Sequence, residues 1–131
     1  MPEFLDADVV IRYLTDDPPD LGERAAALIE GEVQLTLSPL ILTEVASVLT
    51  GVYRRERALV VSALIDLIQR ENLSVHGVAT EVAMEALELC RSSERVDFAD
   101  ALLWAEARST NGSVHSFAAT FPDEGIELRR P

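Results

Sequence analysis

The chain has 131 residues, enough for one domain of ordinary size (about 100–150 residues) with a real core, so a second folded domain is not expected. With 48% hydrophobic and 26% charged residues it is neither disordered nor fibrous in composition, and no apolar run approaches the roughly 20 residues of a membrane span. A net charge of −12 argues against a nucleic-acid binder that works through a broad basic surface. Two features soften that exclusion: carboxylates gathered at a metal site inflate the negative count, and all 11 basic residues are Arg, the better bidentate phosphate ligand.

A few apolar residues at the N-terminus run into Asp6-Ala7-Asp8, which reads as a strand ending in two carboxylates. Asp8 is expected to cap a helix over Val9–Leu14, broken by the prolines of Thr15–Asp20. Asp20 is then expected to cap a helix over Leu21–Glu30, stopped at Gly31. Val33–Leu37 alternates as a short strand, and Ser38-Pro39 opens a helix with Ser at the cap and Pro at its first position. That helix carries Glu44 beside a stripe of Leu40, Val45, Val48, Leu49 and Val52 predicted to be buried.

After the polar run Tyr53–Arg57 comes a helix over Ala58–Arg70, predicted to form an antiparallel hairpin with the helix before it. Leu73–Val75 is a strand candidate, and Thr80 is expected to cap a helix reaching about Arg91, with Cys90 on its buried face. This lone cysteine cannot form an internal disulfide, and Glu3 and Asp6 stand where a secretory leader needs basic and apolar residues, so a cytoplasmic location is expected. Val96–Ala107 reads as a strong helix with Asp97 and Asp100 in its first turn. It is followed by strand candidates at Ser113–Phe117 and Ile126–Leu128. Strands alternating with helices predict parallel βαβ units.

Three acidic positions therefore recur at strand ends or helix starts: Asp6, Glu44 and the pair Asp97/Asp100. In a parallel sheet with right-handed crossovers such positions collect at one edge, where ligands bind. The pattern leaves open how the helix bearing Asp97 and Asp100 reaches that edge. Clustered carboxylates repel one another and raise each other's pKa, and a hard divalent cation, Mg²⁺ or Mn²⁺, removes that penalty. Such an ion polarises a phosphodiester and makes hydroxide from bound water, so hydrolysis needs no covalent nucleophile.

The segments Phe4-Leu5-Asp6-Ala7-Asp8-Val9-Val10, Leu42-Thr43-Glu44-Val45, Val96-Asp97-Phe98-Ala99-Asp100-Ala101-Leu102-Leu103 and Val114-His115-Ser116-Phe117 resemble, in order, the motifs of a PIN domain, and within that superfamily a VapC-type toxin ribonuclease of a toxin–antitoxin pair. The resemblance implies a single three-layer α/β/α domain over residues 1–131 with a central, mostly parallel sheet of four or five strands. It also implies Asp6, Glu44 and Asp100 as metal ligands, with Asp97 close by, Asp8 replacing a commonly polar residue, and Ser116 orienting a metal-bound water or merely bonding locally. A homodimer is implied through the helices between Ser38 and Arg70. Ala118 stands where the family usually has a further acid.

The remaining motifs have plainer readings. His76 and His115 lack partners at ligand spacing. Arg12 either contacts phosphate or pairs with a neighbouring acid. Phe98 and Trp104 are expected in the core or at a dimer contact, and Arg54-Arg55-Glu56-Arg57 is a solvated turn or the best patch for RNA or an acidic partner segment. The leading function is a divalent-metal-dependent endoribonuclease acting on RNA and restrained by a cognate antitoxin. The alternatives are a degenerate PIN domain that binds without cleaving, and a haloacid-dehalogenase-type phosphatase. The phosphatase is disfavoured because Lys is absent and no Asp-Asp or Gly-Asp pair closes a later strand.

Overall fold

Helical periodicity and short β-branched runs alternate along the chain, and the computed structural model, which describes residues 1–131, turns them into six helices and four strands. In order these are α1 (Ala7–Thr15), α2 (Pro19–Ile29), β1 (Leu35–Leu37), α3 (Pro39–Gly51), α4 (Arg57–Ile68), β2 (Leu73–Val75), α5 (Thr80–Ser92), α6 (Phe98–Ser109), β3 (Ser113–His115) and β4 (Glu127–Arg129). No helix is long and apolar enough to cross a membrane.

The fold is α/β with parallel strands. β1 pairs with β2, Leu35 opposite Leu73 and Leu37 opposite Val75, and the helical crossover α3–α4 between them is what parallel pairing requires. β3 pairs with β4, Val114 opposite Leu128. The opening segment adds one parallel bridge, Phe4 with Thr36, on the other edge of β1: Thr36 N–H donates to the Glu3 carbonyl at 2.8 Å and Leu5 N–H to the Thr36 carbonyl at 3.0 Å. The continuous sheet of four or five strands is thus corrected to two short pairs and a bridge. Each strand is only three residues long, and no backbone hydrogen bond joins the two pairs.

A single cluster of buried side chains runs through all the helices and the strands β1, β2 and β3. Val61, Leu64 and Leu67 of α4, Val45 and Leu49 of α3, and Trp104 and Ala105 of α6 are among its least exposed members. Cys90, Phe98 and Trp104 are all in the core. Two members of the predicted α3 stripe are not: Leu40 and Val52, at the two ends of the helix, are 72% and 74% exposed because no neighbouring element covers them.

Three helix caps also differ from expectation. Asp6, and not Asp8, caps α1, because the bridge at Phe4 ends the extended backbone there. Asp20 and Thr80 already lie within the first turns of α2 and α5, whose caps, Pro18 and Ala79, offer no side-chain bond. Ser38 and Asp97 cap α3 and α6 through bonds from Leu40 N–H and Ala99 N–H.

The close approach of α1 and α2 depends on Gly22. A Cβ there would stand 2.7 Å from the Asp16 Cα, at the left-handed cap that ends α1, so backbone would have to give way. Gly22→Ala is expected to lower stability by about 1–3 kcal/mol, measured by urea unfolding. Gly51→Ala, where a Cβ would meet nothing within 4 Å, is the control.

Candidate active site

Asp6, Asp97 and Asp100 sit at helix starts, where extended backbone gives way to helix. Asp6 has φ −81° and ψ 156°, and its Oδ1 accepts the Ala7 N–H at 2.8 Å. Asp97 does the same for α6, its Oδ1 accepting the Ala99 N–H at 2.8 Å. Asp100 follows in the first turn of α6, half-buried, while Asp6, Glu44 and Asp97 are exposed. Glu44 lies in α3 between the buried Leu42 and Val45, and α3 packs against both α1 and α6.

Arg57 holds the start of α6 in place. It is the first residue of α4 and not part of a solvated basic patch: its Nε donates to the Cys90 carbonyl at 2.7 Å, its Nη2 donates to the Val96 carbonyl, and its guanidinium lies 4.5 Å from the centre of the Phe98 ring. Arg55 is likewise tied down, donating to the Leu14 carbonyl at 3.2 Å. All three bonds join residues far apart in sequence, so the run of arginines carried no signal of them.

Electrostatics single out Asp100. Burial raises its carboxyl pKa above the ordinary carboxylate value, and the neighbouring Asp97 raises it further. The folded protein therefore holds this proton to higher pH than the unfolded chain does. It follows that stability falls as pH rises upward from the ordinary carboxylate value through the raised one. Asp100→Asn is expected to raise the melting temperature at neutral pH, and the difference from wild type should close as the pH is lowered below that window. Thermal melts across the acid range check this.

Arg12 pairs with Asp8 at 3.1 Å, and its Nη1 donates to the Tyr53 hydroxyl and the Asp17 carbonyl, each at 3.2 Å. Ser116 bonds locally, its Oγ accepting the Ala118 N–H at 3.0 Å. His115 is exposed, and His76, also exposed, stands edge-on to Phe4. One participant went unpredicted: Arg130 Nη1 donates to the carbonyls of Ser116 (3.0 Å) and Ala118 (2.7 Å), so a cation lies against that turn. Only the tertiary path of the tail reveals it.

One family model covers residues 4–122, from the Phe4 bridge through all the acids to the segment beyond the Ser116–Ala118 turn, and it is that of the PIN domain. The chain belongs to the PIN domain family. No curated protein matches it. PIN domains are generally metal-dependent nucleases, so whether the acids of this PIN domain suit a divalent ion can be asked of their chemistry. Asp6, Glu44 and Asp100 offer hard carboxylate oxygens, and none of them forms an ion pair with an arginine. Burial and the neighbouring Asp97 disfavour the charge of Asp100, a penalty that a cation relieves. The donor chemistry fits, but the side chains are not gathered around one point: no group of three or more His, Cys, Asp or Glu is arranged to hold a metal ion.

Proposed function

We propose that this PIN domain is a divalent-metal-dependent endoribonuclease, the toxin of a type II toxin–antitoxin pair, with Asp6, Glu44 and Asp100 as ligands of Mg²⁺ or Mn²⁺. The observation that carries the reading is the family match over residues 4–122 together with three carboxylates, at the cap of α1 and on α3 and α6, that no arginine neutralises. When bound, such an ion supplies charge stabilisation at the phosphate and a water of lowered pKa.

The chain's own residues prepare that chemistry. Asp6 is oriented by its bond from Ala7 N–H, Asp97 caps α6 and raises the proton affinity of Asp100, and Arg57 pins the loop from which α6 starts. Ser116 is held by its own turn, with Arg130 beside it.

An open cleft of about 330 Å³ between α1 and α2, lined among others by Asp8, Arg12, Leu21, Arg24 and Leu28, supports an antitoxin segment as partner, since it offers apolar and charged contacts together. Leu40, Val52 and Leu59 (65% exposed), on and beside α3 and α4, support a homodimer through the helices between Ser38 and Arg70. The cytoplasm and a single domain over residues 1–131 are part of the same reading.

A second reading, a PIN domain that binds RNA or a partner without efficient cleavage, is favoured by Ala118, whose carbonyl is taken up by Arg130. The phosphatase reading draws no support from the family match. Incubating defined RNAs with Mg²⁺, with Mn²⁺ or with chelator separates the two that remain. Metal-dependent cuts support the nuclease, binding with no cuts supports the second reading, and cuts that persist in chelator overturn the metal assignment.

A further inference from the structure

The turn that follows β3 presents Phe117 in an unusual way. Apart from Met1 it is the most exposed large hydrophobic residue in the chain, at 80%, yet the backbone on both sides of it is fastened. Ser116 N–H donates to the Arg129 carbonyl at 3.0 Å, Ser116 Oγ accepts the Ala118 N–H at 3.0 Å, and Arg130 Nη1 bridges the Ser116 and Ala118 carbonyls. The ring thus stands out at the tip of a turn that is already ordered, so little conformational freedom remains to be lost when something packs on it. Its neighbours His115, Ala119 and Thr120 are exposed and small or polar, which leaves a single ring and not a continuous apolar patch.

Arg130 stands against the same turn, is exposed, and makes no ion pair with any acid, whereas the adjacent Arg129 is paired with Glu127 at 3.1 Å. Its Nε and Nη2 donate to no protein acceptor. In a protein of net charge −12, an unneutralised guanidinium beside a lone projecting aromatic is a local reversal of the surface chemistry. One flat π-face and one cation a short distance apart are what a single nucleotide step of an unpaired strand needs: the base stacks and the flanking phosphate is neutralised.

We propose that Phe117 and Arg130 form a contact site for single-stranded RNA, Phe117 stacking on an unpaired base and Arg130 meeting the adjacent phosphate. The choice of RNA over DNA rests on the nuclease reading above. A stacked duplex offers no free base face, so the site selects unpaired RNA.

The test is fluorescence anisotropy of a labelled single-stranded RNA dodecamer in chelator, where binding is read without cleavage. Phe117→Leu keeps the apolar character and removes the π-face, and it should weaken binding about tenfold. Phe117→Trp should restore it. Arg130→Gln should weaken binding and make the dependence of log affinity on log salt shallower by about 0.7, an effect that a merely structural role for Arg130 would not produce. The same sequence as a duplex should bind more weakly than the single strand. If wild type and Phe117→Leu bind equally while Mg²⁺ still supports cleavage, the stacking site is wrong and the nuclease reading stands. Binding that depends on Phe117 with no cleavage in Mg²⁺ supports the site and overturns the nuclease. No RNA binding by wild type overturns the site, as does a loss on Phe117→Leu confined to self-association in sedimentation.

Discussion

Asp6→Asn is expected to reduce metal-dependent RNA cleavage by about 10³-fold or more, the size of losing a ligand that supports several kcal/mol of charge stabilisation. The choice of Asn matters. The Asp6 carboxylate also caps α1 by accepting the Ala7 N–H at 2.8 Å, and an amide oxygen keeps that bond while the negative charge is removed. The melting temperature of Asp6→Asn should therefore stay near that of wild type. Asp6→Ala adds a loss of roughly 1 kcal/mol from the missing cap. Cleavage assays, Mn²⁺ titration calorimetry and thermal melts on both variants separate the two roles. Undiminished cleavage by a well-folded Asp6→Asn protein would remove Asp6 from the site. Because Asp100 is the acid whose charge the fold most disfavours, its Asn variant should lose activity while gaining stability at neutral pH.

The largest loss of stability is expected from Trp104→Ala. The indole is 3% exposed, its Nε1 donates to the Glu124 carbonyl at 2.8 Å, and the Arg108 guanidinium lies 5.3 Å from the ring centre. Arg108 in turn packs against Gly125, which has φ +77° and where a Cβ would come within 2.9 Å of the Arg108 Nε. Trp104 thus ties α6 to the turn that leads into β4. Removing it opens a cavity and strands a carbonyl, at a cost of about 3–5 kcal/mol out of a total of order 5–15. Unfolding must be followed by circular dichroism, since the chain's one tryptophan is lost. Leu103→Ala, next along the helix but 46% exposed, should change stability little, and comparable losses from the two variants would refute this account of the core.

Much of the helical layout was legible from residues alone because its causes are local. Ser38-Pro39 starts α3, Asp97 caps α6, and the apolar spacing of Val61, Leu64, Ile65 and Ile68 gives α4 its buried side. The parallel sense of β1 and β2 was legible too, since helices separate them, whereas β3 and β4 are parallel with no helix between. Strand extent was not, because pairing depends on partners elsewhere in the chain. Val33 and Gln34 alternate like strand residues yet find no ladder, and the opening segment is reduced to one bridge. The cap of α1 moved from Asp8 to Asp6 for the same reason.

For the site, the sequence by itself determined which residue types stand at or soon after the helix starts: carboxylates at Asp6, Glu44, Asp97 and Asp100, all of them within the residues 4–122 that the PIN domain model matches. Periodicity and capping place an acid on its own helix, since both act within a turn or two of chain. Only the tertiary structure decided what surrounds those acids. It half-buried Asp100 beside Asp97, turned Arg57 inward onto the carbonyls of Cys90 and Val96, and brought Arg130 to the turn at Ala118. The carbonyl contacts of Arg57 and Arg130 join residues at least a dozen positions apart, and local sequence carries no energy for a partner that only folding brings near.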